Sequence, residues 1–355
     1  MKIATRKDII ESILINAQAF LERKDPTNIT SHIYVDSTNL DVVIKATDGE
    51  IGLEVKSNQF TITEPGIFTA NGKKLLDIVR SLKDDVIEFE IVENNLIVKQ
   101  KKTKFKLPTF SYKEYPTFPS VEDKAQITLD SIELIKSLKK ITPAIDINNP
   151  KYELNGALLD IKQDKTSFVG TDTRRLAIVE LNKSSQQELD LIIPKKAIIE
   201  IQKLFLEKID IFYDENSIVI KNEQFYLYSR LINGKFPDYN RIVPKQTKYN
   251  LEIPKKEILE AMKVINIISA EIKITFEQNL VTLESLNSDT QEAKTSIETP
   301  INIDNSFTLA VNSKFLFDFI SQVDEDKFEI GLNEPSLPFV AKSQNFFTVI
   351  MPILL

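Results

Sequence analysis

The chain has 355 residues, of which 42% are hydrophobic, and a formal net charge of −7 at pH 7. At roughly 150 residues per domain, this length predicts two or three domains in a globular protein. The sequence contains no cysteine and a single histidine, His32, which excludes disulfides, thiolate metal sites, His-rich metal clusters and cysteine nucleophiles.

Catalytic and cofactor-binding patterns are also missing from the sequence. Its 8 glycines form neither a dinucleotide-binding nor a P-loop pattern, so the common phosphate cradles are absent. Carboxylates are plentiful, but no spacing singles out a pair for acid–base work. No run approaches the roughly 18 apolar residues of a membrane helix, and the N-terminus enters an amphipathic segment without a signal-peptide core. We therefore expect a cytoplasmic protein that is not an enzyme, with no catalytic residue, no metal and no cofactor.

Amphipathic stretches with helical apolar spacing recur along the chain and alternate between two kinds. In chain order they lie at 6–14, 71–82, 130–141, 194–204, 254–262 and 312–320. Stretches of the same kind return about every 120 residues, which is the size of a domain. Pro194 and Pro254 occupy positions where a first-turn proline is tolerated, so both mark helix starts.

Short alternating strands with polar turns separate these helices. Hairpins are predicted at 91–98, 211–220 and 274–283, and short strands precede two of the helices at 126–129 and 251–253. The lone histidine alternates with apolar neighbours, so we expect an ordinary strand residue rather than a catalytic one.

The order of these elements repeats with the period of a domain. The segment 46–55 matches 170–179, again one domain apart. The shared order of helix, strands, helix and hairpin predicts an α+β fold of three similar domains, each a doubled helix-plus-strands unit. The predicted domains span 1–122, 123–245 and 246–355.

Basic residues concentrate on the predicted helices, while acidic residues gather in turns and strands. In the second helix, Leu75, Leu76, Val79 and Leu82 form an apolar stripe that would face the sheet, so its lysines must face the other way. These faces lack any motif for reading bases, which favours salt-sensitive contacts with phosphates. A solvated face is the alternative for any single helix, and repetition across the domains favours the phosphate interpretation.

Four segments carry a resemblance to a known family. They are Tyr152-Glu-Leu-Asn-Gly-Ala-Leu-Leu, Gly170-Thr-Asp-Thr-Arg-Arg-Leu-Ala, Lys235-Phe-Pro-Asp-Tyr-Asn-Arg-Ile-Val-Pro-Lys and Val349-Ile-Met-Pro. With them the chain resembles the bacterial DNA polymerase III β subunit family, the sliding clamps, in length and in domain order. The Phe-Pro-Asp-Tyr-x-Arg stretch is highly specific for the family.

The resemblance implies a polymerase processivity factor that forms a head-to-tail homodimeric ring of six similar domains. Helices would line a central hole and sheets would form the outside, with each chain supplying half of the ring. Retention on DNA would be topological, so weak contacts that ignore base identity permit sliding. The implied partners are a second copy of the chain, double-stranded DNA, the replicative polymerase catalytic subunit, the clamp loader, and other polymerases and repair proteins carrying a clamp-binding peptide.

The resemblance also implies a hydrophobic pocket between the second and third domains, which takes a short peptide rich in Gln, Leu and Phe. Carried over by position, the lining residues are Leu154, Thr171, Arg175, Leu176, Pro237, Arg241, Ile242, Val349 and Met351, with a neighbouring subsite at Asn312, Phe315, Ile350 and Pro352. Prolines in the loop would lower the entropy lost on docking. Arg175 and Arg241 are expected to hydrogen-bond the peptide at the rim. For Phe236 and Tyr239, packing that anchors the loop is favoured over contact with the peptide.

Three positions depart from the family pattern. Thr173-Arg174 stands where a small residue followed by histidine is usual, and Leu354 replaces a commonly basic residue. We expect these two changes to alter peptide preference. Glu153 stands where some relatives have a second aromatic facing DNA, so DNA contact at that loop is expected to be weaker.

The resemblance also indicates which residues would contact DNA and which would form the contact between the two copies. The side chains expected on DNA are Lys73, Lys74, Arg80, Lys139, Lys140, Lys196 and Lys203, with Arg23, Lys24 and Tyr152 from loops. The helix near Ile267 and Ile268 is expected to meet the strand near Phe105 and Leu107 of the second copy. Lys74 could serve that seam instead of DNA.

Two alternatives stay open at this point. Net acidity and the pocket residues also fit a peptide-binding scaffold that does not encircle DNA. A hydrolase using the many carboxylates is a further alternative that no motif favours.

Overall fold

The structure, a computed structural model, describes residues 1–122, 124–183, 185, 188–206, 208–286 and 292–355. Its helices confirm the predicted amphipathic stretches. Within the described residues they are α1 Lys7–Ala17, α2 Gly72–Ser81, α3 Ser131–Ile141, α4 Lys195–Leu204, α5 Lys255–Ile265 and α6 Ser313–Ile320. The two prolines stand one residue earlier than predicted, because Pro254 is the extended N-cap of α5 and Pro194 ends the strand before α4.

The strands are short, and the predicted hairpins are among them. In chain order the strands are β1 Lys2–Arg6, β2 His32–Asp36, β3 Val42–Thr47, β4 Ile51–Ser57, β5 Thr61–Glu64, β6 Ile67–Asn71, β7 Val86–Val92, β8 Asn95–Gln100, β9 Thr103–Pro108, β10 Ala125–Ile127, β11 Gly156–Ile161, β12 Thr166–Thr171, β13 Arg175–Leu181, β14 Leu189–Pro194, β15 Asp210–Tyr213, β16 Ser217–Lys221, β17 Phe225–Arg230, β18 Tyr249–Pro254, β19 Glu271–Glu277, β20 Leu280–Ser285, β21 Lys294–Glu298, β22 Phe307–Asn312, β23 Lys327–Leu332, β24 Phe339–Ser343 and β25 Phe346–Ile350. The three predicted hairpins are the antiparallel pairs β7–β8, β15–β16 and β19–β20.

Packing divides the chain into two compact units. The first comprises 1–135 and 199–231, and the second comprises 136–198 and 232–355. Each unit is organised around one long sheet, so the division follows the sheets rather than the predicted domain boundaries.

Each unit contains two sheets. The first unit has a five-stranded sheet in the order β5-β1-β7-β8-β9 and an eight-stranded sheet in the order β10-β15-β16-β17-β4-β3-β2-β6. The second unit has an eight-stranded sheet in the order β14-β11-β12-β13-β25-β24-β23-β18 and a four-stranded sheet in the order β21-β20-β19-β22. We call the antiparallel pairing of β4 with β17 the first junction, and that of β13 with β25 the second junction.

A strand, a helix and three further strands form the repeating element of the fold. The strand before each helix pairs with strands of the neighbouring repeat, as β1 pairs with β7 and β6 pairs with β2. The same exchange holds for β10 with β15, β14 with β11, β18 with β23, and β22 with β19. Exchange of the first strand locks two repeats together, which explains why the repeats occur as doubled units.

The core lies between helices and sheets, as the apolar patterns predict. On α2, Leu75, Leu76 and Val79 are buried while the lysines are exposed. His32 is also buried, with its Nδ1 3.3 Å from Thr69 Oγ1 and its ring stacked on Phe110 at 4.2 Å. These contacts support the interpretation of His32 as a packed strand residue. Across the described ranges, no helix has the length and apolar character needed to cross a membrane.

Candidate functional site

The turn before β13 positions the start of the second junction. Asp172 Oδ1 accepts hydrogen bonds from the backbone N–H groups of Arg174 and Arg175, both at 3.0 Å. Thr171 Oγ1 donates to the carbonyl of Arg175 at 2.6 Å and accepts from Thr173 N–H at 3.1 Å. These bonds hold Thr173 in the left-handed region at φ 73°, which is uncommon for a β-branched residue. The turn thereby fixes where β13 begins.

Aliphatic side chains form the base of the candidate pocket at the second junction. Leu176 pairs with Val349 across the two strands, and both belong to one buried cluster with Leu154. At the surface nearby, Ile242 is 47% exposed and Met351 is 42% exposed. The structure therefore brings Leu154, Leu176 and Val349 into one buried cluster and leaves Ile242 and Met351 exposed one and two positions from residues that pack in it.

The loop that follows β17 is anchored on the same cluster. Phe236 and Tyr239 are buried in it, whereas Pro237 between them is exposed. The Tyr239 hydroxyl donates to Asp160 Oδ2 at 2.7 Å, and burial raises the pKa of Tyr239. Both aromatics thus anchor the loop by packing, as expected, and leave Pro237 on the outside.

Arg175 does not stand at the rim as a free donor, which corrects the expectation from the sequence. Its side chain is 4% exposed, and it pairs with Asp172 at 3.0 Å and with Asp318 at 2.8 Å. It also donates to the carbonyl of Pro143 and lies over the Phe315 ring at 4.7 Å. Its donors are therefore committed inside the protein. Strand alternation explains the error, because Arg175 and Leu176 point to opposite faces of the sheet.

Arg241 is exposed, as a donor at the rim of the pocket would have to be. Its side chain is 85% exposed and pairs with Asp238 at 2.8 Å. A surface pair of this kind is weak, so the guanidinium is free to exchange its partner for a peptide group.

The predicted subsite is only partly assembled. Asn312 caps α6 by accepting from Lys314 N–H at 3.1 Å, and Phe315 and Pro352 are partly exposed. Ile350 is fully buried, and alternation along β25 points it away from Val349, so it cannot line the subsite as predicted. The chain end is fixed by a hydrogen bond from Met351 N–H to the carbonyl of Arg174 at 2.9 Å.

The basic candidates are exposed at nearly every predicted position. The exposed ones are Arg23, Lys24, Lys73, Lys74, Arg80, Lys139, Lys196 and Lys203, and the aromatic candidate Tyr152 is exposed as well. Arg80 pairs with Glu11 at 3.5 Å and Lys203 pairs with Glu200 at 3.5 Å, both weakly. In each helix these residues lie opposite the apolar stripe, which is the placement that phosphate contact requires.

Lys140 is the exception among the basic candidates. Its side chain is 18% exposed, pairs with Asp324 at 3.6 Å and lies 5.6 Å from the centre of the Phe346 ring. Lys140 is thus half-buried beside an exposed carboxylate, and its ammonium is less available to DNA than those of the other candidates. Its neighbour Lys139 is exposed, and its contact with DNA stays a prediction.

The candidates for contact between copies lie on the edge strand β9 and just after α5. Phe105 and Leu107 are on β9, which ends the five-stranded sheet, and Phe105 is partly exposed. Ile267 follows α5 and is 81% exposed, and Ile268 beside it is partly buried. The structure adds β21, an edge of the four-stranded sheet that the sequence did not single out. From the sequence, β21 could have been recognised as a contact edge only by its position in the repeat, which is equivalent to that of β4 and β13.

Three carboxylates in the site escaped the sequence reasoning. Asp172, Asp318 and Asp160 hold the turn, Arg175 and Tyr239 respectively. Only Asp172 had a local signal, the Thr-Asp turn pattern, whereas the others act across long sequence separations. Among the described residues, no group of three or more His, Asp or Glu side chains is arranged to hold a metal ion.

Comparison with known proteins gives matches over the whole chain. Models for the N-terminal, central and C-terminal domains of the "DNA polymerase III beta subunit" match residues 1–119, 128–238 and 240–354. The "Beta sliding clamp" of Helicobacter pylori is 39% identical over 351 residues, which covers 96% of this chain and 93% of that protein. The Pseudomonas aeruginosa protein of the same name is 26% identical over 346 residues, which covers 94% of each chain.

Solved structures show the same similarity. The Helicobacter pylori beta clamp bound to a DNA ligase peptide matches with a TM-score of 0.93 at 37% identity and covers 100% of both chains. A Pseudomonas aeruginosa sliding clamp bound to griselimycin matches with a TM-score of 0.91 at 23% identity, a likeness of fold alone that also covers 100% of both chains.

Proposed function

The chain belongs to the DNA polymerase III beta subunit family, the non-catalytic sliding clamps, and we propose that two copies close head to tail into a ring around duplex DNA. The ring acts as a processivity factor, because a polymerase bound to it cannot leave the DNA. Its partners are the second copy, double-stranded DNA, the replicative polymerase, the clamp loader, and polymerases and repair proteins with a clamp-binding peptide.

The observation that carries ring closure is the use of strand edges within the chain. Both junctions join the last strand of one repeat to the last strand of another, since β4, β13, β17 and β25 each end a run of three after a helix. The two remaining strands in that position, β9 and β21, have no partner on their outer edges among the residues that the structure describes. Pairing β9 of one copy with β21 of the other satisfies both edges, and twofold symmetry repeats the contact and closes the assembly.

The seam between copies is also chemically suited to pairing. Lys102, Lys104 and Lys106 are exposed on or beside β9, and Glu298 is exposed at the end of β21. Ile267, which follows the helix packed on the four-stranded sheet, supplies exposed apolar surface near the same edge. Opposite charges around an apolar centre favour a specific contact between two edges.

The pocket at the second junction holds partner peptides. Its aliphatic base of Leu154, Leu176 and Val349 and its rim of Ile242 and Met351 fit leucine and phenylalanine side chains. Methionine adapts to varied partners, and Arg241 supplies a movable donor at the rim. The remaining proposed residues are Thr171, Pro237, Asn312, Phe315 and Pro352, while Arg175 acts from below as a support.

The exposed cations of the helices contact the DNA backbone. We assign this role to Lys73, Lys74, Arg80, Lys139, Lys196 and Lys203, and we add Arg23, Lys24 and the aromatic Tyr152 from outside the α-helices. Contacts with phosphates carry no sequence information and allow sliding. The domains of the ring correspond to 1–122, 123–245 and 246–355, and the protein acts in the cytoplasm, where the replication machinery works.

Retention on closed DNA tests this function directly. The protein is loaded by its clamp loader onto nicked circular DNA, and its release is followed after a restriction enzyme linearises the circle. A ring stays on the circle and leaves the linear form quickly, and bulky proteins bound at both ends restore retention. Equal release from circular and linear DNA would favour the scaffold that binds peptides without encircling DNA.

A further inference from the structure

The turn at the first junction is built with the same hydrogen bonds as the turn at the second. Thr47 Oγ1 donates to the carbonyl of Ile51 at 2.9 Å and accepts from Gly49 N–H at 3.0 Å. Asp48 Oδ1 accepts from the N–H groups of Glu50 and Ile51, both at 3.0 Å. Each bond has its counterpart in the Thr171-Asp172 turn.

The strand leaving each junction is also fixed in the same way. Arg230 N–H donates to the carbonyl of Glu50 at 2.8 Å, and Met351 N–H donates to the carbonyl of Arg174 at 2.9 Å. The two junctions are therefore equivalent residue by residue. In that equivalence the second junction's exposed Met351 corresponds to Arg230 at the first.

The loops that cover the junctions share a pattern as well. Tyr115-Pro-Thr-Phe118 precedes the second predicted domain, and Phe236-Pro-Asp-Tyr239 precedes the third. The first aromatic of each pattern is buried. The two sites thus have the same strands, the same turn and the same kind of covering loop.

The difference lies in the pair at the base of the site. The register places Gly52 opposite Tyr228 at the first junction, where the second has Leu176 opposite Val349. The Tyr228 ring lies directly over Gly52, because a Cβ added to this glycine would stand 2.1 Å from Tyr228 Cε1. A strand glycine often marks such a close approach, and an aromatic ring over it restores the lost packing.

Two further contacts hold the Tyr228 ring in that position. Its hydroxyl is 2.6 Å from Thr47 Oγ1, so the buried polar atom is satisfied. Phe118 packs edge to face on the ring at 4.8 Å and 75°. Only 7% of Tyr228 is exposed. The ring is therefore enclosed by the covering loop and by the turn.

We propose that the first junction is a second copy of the peptide pocket that the chain closes with its own side chains. Tyr228 occupies the space where a partner's side chain would insert, Gly52 makes room for it, and Phe118 covers it. These three residues limit each chain to one peptide. The inference rests on the proposed function of the second junction, since the site it copies is the peptide pocket.

The sheet surface next to Tyr228 at the first junction is also less apolar than its counterpart at the second junction. Lys45 pairs with Glu54 at 3.0 Å in the cross-strand row where the second junction has Val169 and Ile178. An emptied first site should therefore accept a tyrosine-like ligand better than the apolar peptide of the second site.

The first experiment removes the Tyr228 side chain from the first junction and tests whether a small ligand binds in its place. The variants are Tyr228→Ala and Tyr228→Ala with Phe118→Ala, and the probe is N-acetyl-L-tyrosinamide. At saturating probe we expect the melting temperature of the variants to rise by about 2–4 °C and that of the wild type to stay unchanged. Phe276→Ala is the control, because Phe276 is fully buried and a closed core cavity does not admit the probe's amide groups. No rise in either Tyr228 variant, or an equal rise in the control, overturns the proposal.

The second experiment introduces the glycine–tyrosine pair of the first junction into the second junction. Leu176→Gly with Val349→Tyr should lower the affinity for a Gln-Leu-x-Leu-Phe peptide by at least about thirty-fold while the far-ultraviolet spectrum stays native. Val349→Ile, which keeps the base aliphatic, should bind with wild-type affinity. Wild-type affinity in the folded double variant contradicts the proposal, and if that variant does not fold, the probe experiment decides. Failure of the wild type itself to bind peptide would instead count against the proposed function.

Discussion

Arg175 and Arg241 illustrate at the residue scale how surroundings decide the role of a side chain. The sequence assigns both to the rim of the pocket, but Arg175 is buried between Asp172 and Asp318, whereas Arg241 is exposed beside Asp238. Planar guanidinium suits the buried position, because one group can serve two carboxylates, a carbonyl and an aromatic ring together. Arg175 is thus a support beneath the pocket, and Arg241 is the residue free to meet a ligand.

Removing each guanidinium should separate these roles. Arg175→Ala removes buried ion pairs with Asp172 and Asp318, although Asp318 keeps Lys314 at 2.8 Å, and it should lower the free energy of unfolding by about 1–3 kcal/mol. Arg241→Ala removes only a surface pair and should change it by about 0–1 kcal/mol, while weakening peptide binding. Urea unfolding and fluorescence anisotropy measure the two effects. Comparable destabilisation by both variants would contradict the assignment.

Tyr239 anchors the loop of the pocket through one buried hydrogen bond. Tyr239→Phe keeps the packing but removes the donor to Asp160 Oδ2, while Lys162 still pairs with Oδ1 at 3.1 Å, so the free energy of unfolding should fall by about 1–3 kcal/mol. Because the loop then loses its fixed position, peptide affinity should fall as well. Thermal unfolding and anisotropy provide the measurements, with Tyr112→Phe as the control, since Tyr112 is 42% exposed. An unchanged stability would show that the hydrogen bond does not hold the loop.

His32 gives the stability a defined pH dependence. Burial, together with nearby Lys74, lowers the pKa of His32 from its ordinary 6.5 to about 4. Between pH 6.5 and pH 4, His32 is therefore protonated in the unfolded chain but neutral in the folded chain. The free energy of unfolding falls by up to ~3 kcal/mol as the pH falls through this range. His32→Gln removes this titration, so its stability relative to wild type should improve as the pH falls through this window. Urea unfolding of both proteins at pH 7 and at pH 4.5 measures this difference in stability. The same difference at both pH values would contradict the prediction.

At the scale of elements, local patterns predicted the helices and hairpins, and non-local pairing escaped them. A 3.6-residue apolar period can be recognised within a single segment of sequence, so all six helical stretches were predicted. Nothing within β1 indicates that it pairs with β7 rather than with the strands following its own helix. Likewise, Arg175 meets Asp318 across 143 positions of sequence, so its burial could not be predicted from its own strand.

The basic faces of the helices should control DNA contact without affecting the pocket. Lys196→Glu with Lys203→Glu should shorten retention on circular DNA and lower the slope of log affinity against log salt by roughly two per chain. Peptide affinity should not change, because neither lysine belongs to the pocket. Lys56→Glu with Lys342→Glu makes the same change of charge on exposed strand positions and serves as the control. If both double variants reduce retention equally, net charge and not the helix face governs binding.

For the whole molecule, the repeat explains how one folding element makes both the body of each chain and the contact between chains. Each junction within the chain joins two strands that are the third after their helices. In the described part of the chain, β9 and β21 hold the same position and have no strand paired to their outer edges. Unpaired edges invite uncontrolled association unless a specific partner covers them. Pairing in a closed ring uses every edge of this type and leaves none for further growth, so the closed assembly should not add chains at these edges.

A single charge at the seam tests this closure. Ile267→Asp places a carboxylate on a side chain that is 81% exposed beside the proposed contact, whereas Leu40→Asp makes the same kind of change at a turn residue that is 95% exposed. Burying an unpaired charge in the contact should raise the dimer dissociation constant at least about tenfold, and the ring should then leave circular DNA sooner. Sedimentation at several protein concentrations and retention on circular DNA measure both effects. Since Leu40 lies in the turn between β2 and β3 and not on an edge strand of the proposed seam, its variant should remain a dimer. Weakening by both changes, or by neither, would place the seam elsewhere.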